Sequence, residues 1–299
     1  MITVGICTYR RPVYLEKLLT ELSKQYCEKG FGYSVLVVDN DINGSAEDIV
    51  KKAGKSVAYD LRYMVESRKN ISRVRNRIVK NCNEEFLAFI DDDEFPDSNW
   101  LHNLYTQCIK HEADGVLGPV VPFFDLTPPL WLVKSGICNR KAFVTGTLMN
   151  NPKYTRTGNV LFRMSVFGKE NNPFDEKYGT TGGEDSRFFE SAINRGAKFV
   201  WCNEAVVWEA VPVERFSRVY YLKRALLRGA MNAKKSKICS ISTAKSLIAS
   251  GIYTITLPFL QIAGHHYFMR YLVRNCDHIG KLLGLLRIEP VKKRSFEFN

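Results

Sequence analysis

Residues 86–96, FLAFIDDDEFP, constrain this chain more than any other stretch. An apolar run, Phe86-Leu87-Ala88-Phe89-Ile90, passes directly into Asp91, Asp92, Asp93 and Glu94. The run is short and rich in aromatic and branched side chains, which predicts a buried strand rather than a helix. Carboxylates gathered at its end repel one another and are costly unless a cation or water meets them. Oxygen donors at one point suit a hard divalent ion, Mg²⁺ or Mn²⁺, and such ions commonly accompany a phosphate. In open α/β sheets ligands bind just beyond the carboxyl ends of the strands. A solvated acidic turn is the competing reading of the same acids, and the rest of the chain decides between them.

Before that stretch, residues 2–7 read as a strand broken by Thr8-Tyr9-Arg10-Arg11-Pro12, and Tyr14, Leu15, Leu18, Leu19 and Leu22 recur at helical spacing. Val35-Leu36-Val37-Val38 is a second strand ending on Asp39-Asn40-Asp41, with a helix from about Ser45. Residues 59–65 read as a third strand and 71–81 as a basic helix carrying Arg73, Arg75 and Arg77. Ser98 is placed to cap a helix through Trp100, Leu104 and Ile109, and residues 115–121 read as a fifth strand. Strands alternating with helices predict an α/β fold with a Rossmann-like, mostly parallel sheet flanked by helices. Neither GxGxxG nor GxxxxGK[ST] is present, so the NAD fingerprint and the P-loop are excluded. Prolines and glycines loosen residues 122–159 into a long loop with small strands, where Trp131 fits either a sugar-stacking or a packing role. Further on, Val160-Leu161-Phe162 is a strand, and Gly182-Gly183-Glu184-Asp185 leads into an amphipathic helix over 186–195. The two acids there fit the positive end of the helix dipole, as simple capping residues also would.

Charge is divided sharply along the chain. Residues 214–299 carry 16 Lys+Arg against 4 Asp+Glu, which is the whole of the net charge of +12, while residues 1–213 are neutral. A basic tail on a neutral body points to an anionic partner, either a membrane surface or nucleic acid. Residues 216–233 alternate apolar and basic side chains at helical spacing, and Lys234-Lys235-Ser236-Lys237 follows. Residues 246–264 have no formal charge over a length that approaches a membrane span. Pro258, Gly251 and flanking Lys/Arg on both sides favour a segment lying in or re-entering the membrane plane; a helical hairpin packed on the body is the alternative. The N-terminus has no signal-peptide pattern, so secretion is not expected. The eight cysteines show neither CxxC nor zinc spacing and read as free thiols of a reducing compartment.

CTYRRP with VVDND, then FIDDD, then GGEDSRFF, in this order, resemble the inverting glycosyltransferases of family 2, which have the GT-A fold. The resemblance covers about residues 1–215, and TGNVLF, FDEKYGTTGGEDSRFF and VWEAVPVERF look closest to bacterial exopolysaccharide transferases of the succinoglycan type. It implies a catalytic domain over 1–215 and a membrane-associating helical region over 216–299. By the resemblance, Thr8 and Asp39 line the nucleotide pocket and Arg75 lies near the donor. Asp91 and Asp93 are the outer, metal-binding positions of a DxD motif for Mg²⁺ or Mn²⁺, with Asp92 between them at the donor. Asp185 is the catalytic base. Many members carry a His late in the domain, where this chain has Glu209. The implied reaction moves a sugar from a nucleoside-diphosphate sugar, a UDP-sugar by preference, to a saccharide acceptor. That acceptor is expected to be linked to a polyprenyl diphosphate at the cytoplasmic leaflet. The competing class, a nucleic-acid-binding protein with a basic arm, lacks any nucleic-acid motif, and the aromatic and apolar residues among the basic ones suit lipid better.

Overall fold

The first apolar runs form the strands that their periodicity dictates. Ile2–Thr8 is β1, Tyr33–Asp39 is β2, Asp60–Val65 is β3 and Phe86–Asp91 is β4, joined through helices α1 (Pro12–Leu22), α2 (Glu47–Ala53) and α3 (Ile71–Lys80). The structure, a computed structural model, describes residues 1–26, 32–168, 170, 172–180, 182–233 and 238–291; Cys27, Thr181 and Lys234-Lys235-Ser236-Lys237 lie outside these. β1 pairs in parallel with β2 on one side and β4 on the other, and β3 extends the sheet beyond β2. Each of these crossovers contains a helix, as parallel neighbours require.

The second half of the sheet is mixed. β5 (Glu94–Pro96), α4 (Trp100–Lys110), β6 (Gly115–Leu117), β7 (Val120–Phe123) and α5 (Leu130–Ser135) follow β4. β8 (Asn159–Arg163) then enters antiparallel between β4 and β6, and after α6 (Glu184–Asn194) strand β9 (Phe199–Trp201) runs parallel to β6. With β10 (Val207–Ala210), the strands form a seven-stranded sheet of order β3-β2-β1-β4-β8-β6-β9 and a three-stranded sheet of order β5-β10-β7. Residues 115–121, expected as one strand, are two strands in different sheets. The break falls at Gly118-Pro119, where proline has no N–H for a ladder. Ser98 is not the cap of α4: Asn99 holds that position without a side-chain capping bond.

The chain divides into two compact units. Unit 1 comprises Met1–Val121 and Arg140–Glu209. Its core on one face of the sheet is strongly aromatic, with Phe89, Phe162, Phe167, Phe174, Phe188, Phe189 and Phe199 in one buried cluster. Asn159 pins the antiparallel insertion. Its amide nitrogen donates to the Pro119 carbonyl at 3.0 Å and the Ala205 carbonyl at 2.8 Å, while its oxygen accepts from the Trp100 indole at 2.8 Å. That anchoring fixes the backbone at the start of β8, beside the acidic end of β4.

Unit 2 comprises Pro122–Asn139 and Ala210–Asn299. It contains α5 and three longer helices, α7 (Arg218–Ala233), α8 (Ile241–Ala263) and α9 (His265–Leu285). α7 and α9 approach backbone to backbone: a Cβ at Gly280 would overlap the Leu226 carbonyl. Leu132, Tyr221, Ala225, Val273 and Cys276 form its buried cluster, and Trp131 packs edge-on to Tyr221 with ring centroids 6.0 Å apart. Trp131 thus takes the packing role of the two its sequence position allowed. α8 docks on α9 through a polar seam, Ser250 Oγ donating to Asn275 Oδ1 at 2.9 Å and Lys281 Nζ to the Ser242 carbonyl at 3.0 Å. Among the described residues, α8 is the one helix long and apolar enough to cross a membrane, with a mean hydropathy of 1.4.

Candidate active site

Register brings the candidate residues together. In the ladder, Thr8 at the end of β1 faces Asp39 at the end of β2, and Cys7 faces Asp91 at the end of β4. Thr8 Oγ1 donates to Asp92 Oδ2 at 2.9 Å. Arg11, in the loop after β1, donates from one nitrogen to Asp92 Oδ1 and Asp93 Oδ2, both at 3.0 Å. The CTYRRP loop therefore clamps the last two aspartates of the triplet. Asp39 is fully buried and accepts from the Asp41 and Ala46 amides, both at 2.8 Å, and from the Tyr63 hydroxyl at 3.0 Å. Asp39 shapes the turn after β2 through these bonds.

The remaining acids form a tight cluster. Glu94 on β5 faces Glu209 on β10 directly across an antiparallel pair, a repulsive placement. Arg140 resolves it with an ion pair to Glu209 and a 3.8 Å approach to Glu94. Glu209, whose role the sequence left open, is thus a partner of Arg140. Gly158 lies against the same acids: a Cβ there would stand 2.8 Å from Glu94 Oε1 and 2.9 Å from Asp91 Oδ2. Burial pushes the Asp91 carboxyl up to about 6, against the pull of Arg75. Burial also pushes Asp92 up to about 7, against Arg11, and Glu94 well above the usual carboxylate range, with Asp91 adding to the effect.

These features test the fit of a divalent ion. Hard oxygen donors, two carboxylates against one glycine and acids that burial keeps partly protonated all suit such an ion. The Asp91 carboxylate accepts no hydrogen bond from the described residues, and its perturbers are burial and nearby charges. Asp93 pairs with Arg11, and among the described residues no three His, Cys, Asp or Glu side chains already stand at metal-holding distance. Asp91 and Glu94 are accordingly the nearest donors, with Asp93 adjacent.

The start of α6 is linked to this cluster through Arg75. Gly182 and Gly183 adopt left-handed backbone, φ 80° and 97°, which lets the chain turn sharply into Glu184 and Asp185. Glu184 is buried in an ion pair with Arg75 of α3. Burial is the largest single influence and works against the Arg75 charge, but Glu184 with the further contributions of Cys7, Asp91 and Asp185 together outweighs it and raises the guanidinium above its usual value. Arg75 is thus paired with Glu184 at the helix start and lies within the field of Asp91 at the strand end. Asp185 is half-buried, and its Oδ1 accepts the Ser186 amide at 2.7 Å. α3 also holds the approach to α6: Asn70 Nδ2 donates to the Glu176 carbonyl at 2.8 Å, Ser72 Oγ to the Asp175 carbonyl at 2.9 Å and Asn76 Nδ2 to the Phe174 carbonyl at 2.8 Å.

Thr8, Asp91, Asp92, Asp93, Arg75 and Asp185 are thus assembled around one locus, with Asp39 one strand away. Sequence reading missed Arg11, Arg140 and Gly158. The signal for Gly158 was present in TGN beside an acidic strand end, whereas the arginines carry no local mark.

Residues 3–171 match the family model described as glycosyl transferase family 2. The chain belongs to this family. It is a glycosyltransferase, with the nucleotide-binding α/β sheet of the GT-A fold. Over 98% of its length it is 29% identical to the succinoglycan biosynthesis protein ExoM of Rhizobium meliloti, covering 95% of that protein. It is 26% identical over 166 residues to the poly(ribitol-phosphate) beta-N-acetylglucosaminyltransferase TarS of Staphylococcus aureus (strain Mu50), covering 29% of that protein. The crystal structure of S. aureus TarS 1–349 in complex with UDP-GlcNAc superposes with a TM-score of 0.57 at 17% identity, over 95% of this chain and 90% of that one. At that identity the likeness speaks for the fold.

Proposed function

We propose that this glycosyltransferase transfers a sugar, with inversion, from a UDP-sugar to a saccharide acceptor carried on a lipid diphosphate, in the synthesis of a bacterial surface polysaccharide. The observation that carries the reading is that one buried guanidinium, Arg75, lies within the field of both Asp91 at the strand end and Asp185 at the start of α6, beside its ion-pair partner Glu184. Asp91 suits a nucleoside diphosphate and its ion, Asp185 a proton acceptor on the far side of the sugar. The names of ExoM and of the UDP-GlcNAc complex of TarS support the substrate class.

A divalent ion at Asp91, Asp93 and Glu94, when bound, neutralises charge on the departing diphosphate. The protein's own groups supply the rest. Thr8 and Arg11 hold Asp92 and Asp93 in place. Asp39 fixes the turn that borders the nucleotide. Arg75 braces Glu184 and so sets the start of α6. Asp185 Oδ accepts the proton of the acceptor hydroxyl as its oxygen attacks the anomeric carbon; the bond to the diphosphate oxygen breaks on the opposite face. Residues 1–215 carry this chemistry, and residues 216–299 hold the enzyme at the cytoplasmic face of the membrane.

The test compares Asp185→Asn with the native enzyme in UDP-sugar binding and in turnover. General-base catalysis contributes about 10²–10⁴-fold, so turnover should fall by that order with donor affinity nearly unchanged. Near-native turnover would remove Asp185 as the base and direct attention to Glu184.

A further inference from the structure

A recess in unit 1 remains unassigned by the reading above. It has about 20 Å³ of room for water-sized groups, enough to seat one oxygen of a larger anion at its mouth, and is lined by Arg140, Lys141, Tyr154, Arg156 and Trp201, among others. Of its cations, Arg140 is matched by Glu209 and Glu94. Arg156 is not: it makes no ion pair or hydrogen bond with the described residues, and burial together with Arg140 holds its guanidinium below the usual value. The Lys141 ammonium rests on aromatic faces, 4.7 Å from the Phe143 centroid and 4.8 Å from that of Tyr154, without a carboxylate partner among the described residues. Trp201 is 4% exposed, and its indole N–H has no acceptor among the described residues. A buried N–H without an acceptor and an arginine short of counter-charge are both unfavourable in the free protein. An oxyanion satisfies the fork of an arginine, the point charge of a lysine and an indole donor together.

We propose that this recess is an acceptor-side subsite for a phosphate oxyanion. The assignment rests on Asp185 acting at the acceptor, because Arg156 lies within the field of Asp185, Glu94 and Glu209. An acceptor whose phosphate is seated against Arg156 would be anchored beside the base. The phosphate has two sources, the diphosphate of a lipid-linked saccharide or a soluble sugar phosphate. The donor diphosphate is held elsewhere, at the Thr8, Arg11 and Asp91 side.

The experiment uses the full-length protein with chelator present, so that no ion at Asp91 can capture the probe. Inorganic pyrophosphate and farnesyl diphosphate are titrated by calorimetry into the native protein, Arg156→Gln, Arg156→Lys and Trp201→Phe. UDP affinity is measured for each in a separate titration with Mn²⁺. Loss of one charge-assisted contact should weaken pyrophosphate binding about tenfold or more in Arg156→Gln. Arg156→Lys should recover part of that loss, Trp201→Phe should lose less, and UDP affinity should stay unchanged throughout. Tighter binding of farnesyl diphosphate than of pyrophosphate supports the subsite and assigns it to a lipid-linked acceptor. Equal affinities support it and assign it to a soluble sugar phosphate. Native pyrophosphate affinity in Arg156→Gln, with the variant folded, overturns the proposal. So does a fall in UDP affinity in step with pyrophosphate, which would place Arg156 in the donor pocket. Arg156-dependent pyrophosphate binding in a protein that binds no UDP would leave the subsite standing and overturn the donor reading instead.

Discussion

Asp92 sits where burial and a basic partner compete, and burial prevails: its carboxyl is raised from 3.8 to about 7, and that of Asp91 to about 6. Raised values mean that the folded state holds protons the unfolded chain has already released. Their stabilising contribution is fully present below about pH 4 and is lost as pH rises through 6 to 7. Metal-free protein should therefore melt at a lower temperature at pH 8 than at pH 5. Asp92→Asn, a neutral mimic of the protonated acid, should flatten that slope and melt above the native protein at pH 8. Thermal melts with chelator check this, and parallel pH profiles for the two proteins would count against it. A divalent ion should narrow the difference by favouring the ionised acids. Asp91, Asp92 and Asp93 were legible in the sequence because an apolar strand running into acids is a local pattern. Arg11 and Arg140 were not, because nothing near them tells which of 43 Lys+Arg faces a carboxylate; the register of distant strands decides it.

Among the elements, α3 shows how much of a helix periodicity discloses. The apolar face of Ile71, Val74 and Ile78 predicted a helix over 71–81, and α3 spans Ile71–Lys80. Its other faces are tertiary: Asn70, Ser72 and Asn76 bind the backbone of 174–176, and Arg75 pairs with Glu184 across 109 positions of sequence. β8 was legible as a strand, but not as the antiparallel insertion between β4 and β6, since strand direction follows from the path of a long connection. Removing one partner of a buried ion pair strands the other, at a cost of about 3–5 kcal/mol. Arg75→Met should lose stability of that order in urea titrations, and adding Glu184→Gln should restore much of it. Additive losses in the double variant would show that the pair is not coupled.

For the whole molecule, the basic excess of residues 214–299 and the bare face of α8 bear on where the enzyme works. Ile248, Ile252, Ile255, Phe259 and Ile262 follow one another at spacings of four and three, all between 54% and 87% exposed, so they form a single apolar stripe along α8. Cutting the chain near residue 215 is a poor probe of that stripe. Leu132 and Trp131 of the 122–139 segment belong to the same unit and pack in the cluster of Tyr221, Ala225 and Val273, so truncation would expose them. Substitutions on the exposed stripe leave that cluster intact. Full-length protein should float with anionic vesicles and stay bound in high salt, because screening weakens the Lys/Arg contribution but not apolar insertion. A buried Ile or Phe contributes about 1.5–3 kcal/mol, so Ile255→Asp with Phe259→Asp should weaken vesicle binding by roughly 100-fold or more and make the remainder salt-sensitive. Circular dichroism should show the helices retained. If the double variant floats as the native protein does, or the native protein does not float, α8 is not the membrane contact. Concentration-dependent dimerisation lost in the same variant would then mark the stripe as a seam between two copies.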